Sequence, residues 1–132
     1  MSCRLGVLVS GRGSNLQAIL DKCKSGEISA EVAVVLSDNP DSFALERAKK
    51  AGIEALYIDP EATKPVLIGE AEGNYINALN RHDIDLVCLA GFMRIVKEKM
   101  ISEFSWKMMN IHPSLLPSFK GLNAQKRALD YG

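Results

Sequence analysis

Three short segments of the chain combine residue types that could do chemistry. The first is Ser10-Gly11-Arg12-Gly13-Ser14-Asn15. Two glycines let a backbone come close to a ligand, and a helix starting here would offer unpaired N–H groups and roughly half a positive charge from its macrodipole. Such a site suits a phosphate. No Gly-Lys-Ser/Thr follows, so the loop is not a nucleotide triphosphate cradle, and Leu16 stands where a dinucleotide fingerprint needs its third glycine. A monophosphate is therefore expected in preference to NAD. The plainer alternative is a tight strand-to-helix turn with Ser14 or Asn15 as the helix cap.

The second segment is Ala90-Gly91-Phe92-Met93-Arg94-Ile95-Val96. Apolar side chains just past a buried strand can line a slot for a flat ring, and the backbone of an irregular segment can hydrogen-bond that ring's edge, which suits a heteroaromatic ligand. The alternative is that Phe92, Met93 and Ile95 are core beneath a loop, with Arg94 solvated.

The third segment is Met109-Asn110-Ile111-His112-Pro113-Ser114-Leu115-Leu116-Pro117. On a strand, period two sends Asn110 and His112 to one face, and Pro113 ends the ladder directly after the histidine. An amide and an imidazolium converging on one point would donate to a developing oxyanion, as acyl transfer requires. The alternative is a structural histidine beside a strand-end Asn. His82, flanked by Arg81 and Asp83, reads as a surface residue. No GxSxG accompanies Ser114, and Cys88 lies inside an apolar run, so neither is marked as an activated nucleophile. The acyl acceptor is then expected to be an atom of the substrate.

These segments need a scaffold that brings three strand exits together. Leu5 to Val9, Val32 to Leu36, Ala55 to Ile58, Leu86 to Ala90 and Met108 to Ile111 are apolar without alternation, the pattern of strands covered on both faces. Helical spacing appears between them: Leu16, Ile19, Leu20, Cys23; Ala44, Leu45, Ala48, Ala51; Ile68, Ala71, Tyr75, Ala78, Leu79; and Met100, Ile101, Phe104. Gly26 and Gly52 stand where helix C-caps belong. The order βαβαβαβαβα, its last helix ending at Gly132, predicts an α/β fold with a doubly wound, mostly parallel sheet. Ligands gather at the carboxyl ends of such strands, where all three segments fall.

Composition narrows the function classes. The 132 residues carry 16 Lys and Arg against 16 Asp and Glu, so no basic excess points to nucleic acid or an anionic membrane, and any phosphate must be met locally. Cys3, Cys23 and Cys88 form no CxxC pair, which argues against a disulfide framework or a zinc site and favours the cytoplasm. No apolar stretch is long enough to span a bilayer, and no signal peptide is visible.

Taken together, SGxGSNLQA at Ser10 to Ala18, LAGFMRI at Leu89 to Ile95 and NIHPSLLPSFKG at Asn110 to Gly121 resemble the phosphoribosylglycinamide formyltransferases. The resemblance implies a Rossmann-like fold of the formyltransferase type and formyl transfer from 10-formyltetrahydrofolate to the amine of glycinamide ribonucleotide, with no metal. It also implies that Gly13, Ser14 and Asn15 hold the substrate phosphate, and that Met93, Arg94, Ile95 and Val96, with Asn110, contact the folate. Asn110 and His112 would be the catalytic pair. Relatives place a basic residue before the third helix to meet the folate, and Lys64 is the nearby candidate. They also carry an aspartate beside the histidine on a later loop, which would fall after Gly132; Asp130 is not its equivalent. The expectation is thus a single formyltransferase domain over 1–132, truncated at its C-terminal end so that the last part of the family fold is absent, acting as a monomer or homodimer without nucleic acid or membrane partners. An isolated histidine with pKa near 6.5 is only about a quarter protonated at pH 7, and a neighbouring carboxylate raises that fraction. The alternatives are a truncated, non-catalytic phosphate-binding module and a formyltetrahydrofolate deformylase, in which water replaces the amine.

Overall fold

The runs of Val, Ile and Leu become strands of one parallel sheet because helices cover both its faces. A computed structural model describes residues 3–61, 66–67, 69–105 and 107–111. In chain order the elements are β1 (Cys3–Val9), α1 (Ser14–Ser25), β2 (Ala30–Ser37), α2 (Phe43–Lys50), β3 (Glu54–Tyr57), β4 (Val66–Leu67), α3 (Gly69–Arg81), β5 (Leu86–Leu89), β6 (Ile95–Val96), α4 (Glu98–Glu103) and β7 (Met108–Asn110). Five strands make the main sheet in the order β3-β2-β1-β5-β7, with every pairing parallel. The direction of winding reverses between β1 and β5, the switch point at which doubly wound sheets bind their ligands.

Helices α1 and α2 lie on one face, burying Leu16, Ile19, Ala44, Leu45 and Ala48 against Leu5, Val7 and Val9 of β1 and Cys88 of β5. Helix α3 covers the other face through Ala71, Tyr75, Ala78 and Leu79, a stripe at helical spacing, and Met100 of α4 joins it. Gly6 lets α3 come close: a Cβ there would stand 2.6 Å from the Leu79 side chain. A bulge in β2 adjusts the alternation. Leu5 pairs with Val32 and Gly6 with Val34, so Ala33 has no opposite number. The extra residue lets Val32 and Val35 both face α1 and α2 while Val34 and Leu36 face α3.

The five expected strands and four helices are present, and Gly26 and Gly52 take the left-handed conformation expected just past α1 and α2. Two features differ from the expectation. Strands β4 and β6, two residues each, pair as a separate small parallel sheet. They are too short to leave a periodic signal. His82 is not a simple surface residue: its Nδ1 donates to the Ala78 carbonyl at 2.8 Å and its Nε2 donates to the Glu54 carboxylate, tying the end of α3 to β3. The expected fifth helix lies outside the described residues. The thiols of Cys3, Cys23 and Cys88 are free, and burial is the first cause that raises the pKa of each, most strongly for the fully buried Cys88. Among the described residues no helix is long and apolar enough to cross a membrane.

Candidate active site

The register of the sheet lines up four strand exits. Val9 pairs with Ser37, Leu8 with Leu89, and Leu89 with Asn110, so the chain leaves β2 at Asp38, β1 at Ser10, β5 at Ala90 and β7 at Ile111 along one edge. The three segments singled out from sequence therefore meet at the carboxyl edge, two of them flanking the β1/β5 switch point.

The first segment is laced to the start of α2. The Gly11 carbonyl accepts from the Ser42 hydroxyl at 2.7 Å and from the Ala44 N–H at 3.3 Å, and the Arg12 carbonyl accepts from Arg47 Nε at 2.8 Å. Gly13 is buried at φ 79°, and a Cβ there would meet Ala44 Cβ at 2.6 Å and its Cα at 2.8 Å. Glycine at 13 is thus required first by the close approach of α2, whereas Gly11 has open space around it. The capping expectation is corrected. Gly13, not Ser14 or Asn15, is the N-cap residue of α1, no side chain caps the helix, and its first turn contains no acidic residue. Ser14 is exposed and Asn15 half-buried. With the Gly11 and Arg12 carbonyls turned to α2, the N–H groups of the first turn are left to meet an anion, and among the described residues neither a capping side chain nor a first-turn carboxylate offsets the positive end of the helix.

The second segment is neither core nor solvated in the way the plainer reading supposes. Met93 and Ile95 are 73% and 57% exposed, while Arg94 turns inward and its Nε donates to Asp38 Oδ2 at 2.7 Å. The Met93 N–H donates to the Ser10 hydroxyl at 2.8 Å, which joins the segment directly to the exit of β1. Phe92 packs half-buried against Tyr75, with ring centroids 5.8 Å apart, and Ile95 and half-buried Val96 pair with Val66 and Leu67. The Tyr75 hydroxyl donates to the Ile58 carbonyl at 3.1 Å, and burial pushes its pKa far up, which marks it as a structural phenol.

In the third segment, Met109 and Ile111 pack toward α1 and α2, and Met108 toward α3 and α4. Alternation puts exposed Asn110 on the α3 side of the edge. His112, Ser114, Lys64 and Asp130 lie outside the described residues. Sequence reasoning missed Asp38 as a site residue, and it placed Ser10 in the first segment without foreseeing its bond to Met93. Asp38 follows an apolar strand directly, so the rule that ligands gather at strand exits could have found it, but its partner is far along the chain.

Two further features lie apart from this edge or add nothing to it. A groove of about 760 Å³ between α1 and α2 runs from Gln17, Phe43 and Arg47 to Ala30, Glu31 and Val32 at the amino-terminal end of β2, and so extends away from this edge. Among the described residues no group of three or more His, Cys, Asp or Glu could hold a metal ion.

Comparison with known proteins places this geometry. The profile of the family described as Formyl transferase matches residues 3–132. The chain is similar to the phosphoribosylglycinamide formyltransferase of Haemophilus influenzae, 42% identical over 98% of this chain and 60% of that protein. It is also similar to a human trifunctional purine biosynthetic protein, 43% identical over 98% of this chain and 13% of that protein. The crystal structure of glycinamide ribonucleotide transformylase 1 from Symbiobacterium toebii superposes with a TM-score of 0.76 at 47% identity, covering 99% of this chain and 61% of that one. A formyltetrahydrofolate deformylase from Burkholderia mallei, at 22% identity and a TM-score of 0.75, shares the fold. The chain spans about 60% of the length of the Haemophilus relative it matches.

Proposed function

The chain belongs to the formyl transferase family, and on that premise we propose that it serves the transfer of a formyl group from 10-formyltetrahydrofolate to the amine of glycinamide ribonucleotide in purine biosynthesis. The observation that carries the proposal is the pairing of two chemically unlike loops across the β1/β5 switch point: an uncapped helix start on one side and an exposed apolar segment on the other. A phosphate-bearing substrate suits the first, and the flat ring of a folate suits the second.

In this reading the N–H groups at Gly13, Ser14 and Asn15 hold the substrate phosphate, and Met93, Arg94, Ile95 and Val96 receive the pterin end of the folate. The substrate amine attacks the formyl carbon directly. The oxygen of the tetrahedral intermediate takes a hydrogen bond from Asn110, and His112, protonated, stabilises the same charge and passes a proton toward the departing folate nitrogen. No serine or cysteine need be acylated, in keeping with buried, un-ionised Cys88.

Kinetics of the full-length protein test this. His112→Ala and Asn110→Ala should each lower kcat on the order of a hundredfold or more, because each removes a donor used mainly in the transition state. Near wild-type kcat in His112→Ala would sink the mechanism. Hydrolysis of the formyl donor at full rate without glycinamide ribonucleotide would instead favour a deformylase.

A further inference from the structure

Asp38 stands out because it is a buried carboxylate with no task in its own neighbourhood. The turn after β2 closes without it: the Ser37 hydroxyl donates to the Asn39 carbonyl and accepts from the Asn39 N–H, each at 3.1 Å, and Asn39 Oδ1 accepts from the Asp41 N–H at 3.0 Å. The Asp38 side chain is only 6% exposed, its Oδ2 takes Arg94 Nε, and its Oδ1 finds no hydrogen-bond partner among the described residues. A carboxylate withdrawn from water is costly unless a charge compensates it, so Asp38 is kept at this position by Arg94 rather than by the turn.

The direction of this pair matters. β1 lies between β2 and β5 in the sheet, so the Asp38–Arg94 bridge reaches from the exit of β2 to the segment after β5, across the exit of β1. There the Ser10 hydroxyl accepts the Met93 N–H. Drawing Arg94 inward turns its neighbours Met93 and Ile95 outward, where they stand exposed.

We propose that Asp38 is a positioning residue: acting through Arg94, it holds the 91–96 segment in the shape that presents Met93 and Ile95 to the ring of the formyl donor. The inference rests on the assignment of that segment to the folate, and two readouts separate the two ideas. The first is amide hydrogen exchange over residues 91–96 in the full-length protein without substrates. Asp38→Asn should speed this exchange roughly tenfold or more, the effect of losing a hydrogen bond between charged groups. The second is steady-state kinetics, in which KM for the formyl donor should rise by a similar factor while KM for the amine substrate stays within about threefold. Arg94→Gln should reproduce the exchange result, which keeps the test available if Asp38→Asn folds poorly. The double variant should be no worse than the worse single one, because Arg94→Gln already removes the bond that Asp38→Asn weakens.

Unchanged exchange in both single variants, or additive effects in the double, overturns the proposal whatever the kinetics. Faster exchange with an unaltered KM for the donor supports the holding role of Asp38 and overturns the assignment of the segment to the folate.

Discussion

The two loops that flank the switch point are built by opposite means. The Ser10–Asn15 loop is fixed through its backbone. Its carbonyls are bound by the start of α2, and Gly13 fits only because it lacks a Cβ. The 91–96 segment is tied at its start by two side chains distant in sequence, the Ser10 hydroxyl and the Asp38 carboxylate, and at its end by the short backbone pairing of β6 with β4. A loop defined by its backbone has little tolerance and little adjustable chemistry, as suits an invariant group such as a phosphate. A segment held at a few separate points leaves its other side chains free to shape a slot. A change in the first is expected to cost stability, and a change in the second to weaken binding of the proposed ring.

That contrast can be broken most severely at Gly13. Gly13→Ala combines a left-handed backbone with contacts to Ala44 inside the range that carbon atoms avoid, and should destabilise the fold by roughly 2–5 kcal/mol. Urea unfolding measures it, and a loss below about 1 kcal/mol would mean that α2 can move away freely. Ser42→Ala removes the donor to Gly11 and the acceptor that caps α2 through the Ala44 N–H, and should cost about 1–2 kcal/mol in the same assay. In the other loop, Met93→Ser should change stability by no more than about 0.5 kcal/mol, since the side chain is exposed, yet weaken binding of the formyl donor severalfold in calorimetry. Equal losses of stability at Ser42 and Met93 would erase the distinction.

The smallest effect belongs to neither loop. Both ring nitrogens of His82 act as donors, first to the Ala78 carbonyl and then to Glu54, which raises its pKa above the ordinary value near 6.5. The protonated ring binds its proton more tightly in the folded chain. Its contribution is therefore fully present below the ordinary pKa and is lost as pH rises through the raised one. Urea midpoints should fall over that window, and His82→Gln should flatten the fall without altering either loop.

Most of the framework was legible in the sequence because it is local. Runs of Val and Leu, the Leu16-Ile19 and Ala71-Tyr75-Ala78 spacings, and glycines past helix ends report on neighbours within a turn or a strand. The placement of the three segments followed from topology alone. What stayed hidden depends on contacts between remote positions: Asp38 with Arg94, Ser10 with Met93, and His82 with Glu54. The role of Gly13 was half legible. Its type announced a special backbone, but only the approach of Ala44 shows which neighbour demands it. Strands β4 and β6 were hidden for another reason, since two residues cannot display a period.

The central position of β1 also governs how the chain is made. Its partner on one side, β2, follows within a short crossover, but on the other side Leu5 to Leu8 must wait for Leu86 to Leu89. During synthesis the first strand is therefore half-paired, with an open row of N–H and C=O groups beside Val7 and Leu8, until Leu86 to Leu89 have left the ribosome. Such distant parallel pairing is slow to form, and the order of emergence makes β5 the strand whose arrival pairs the second side of β1, before β7 adds beside it.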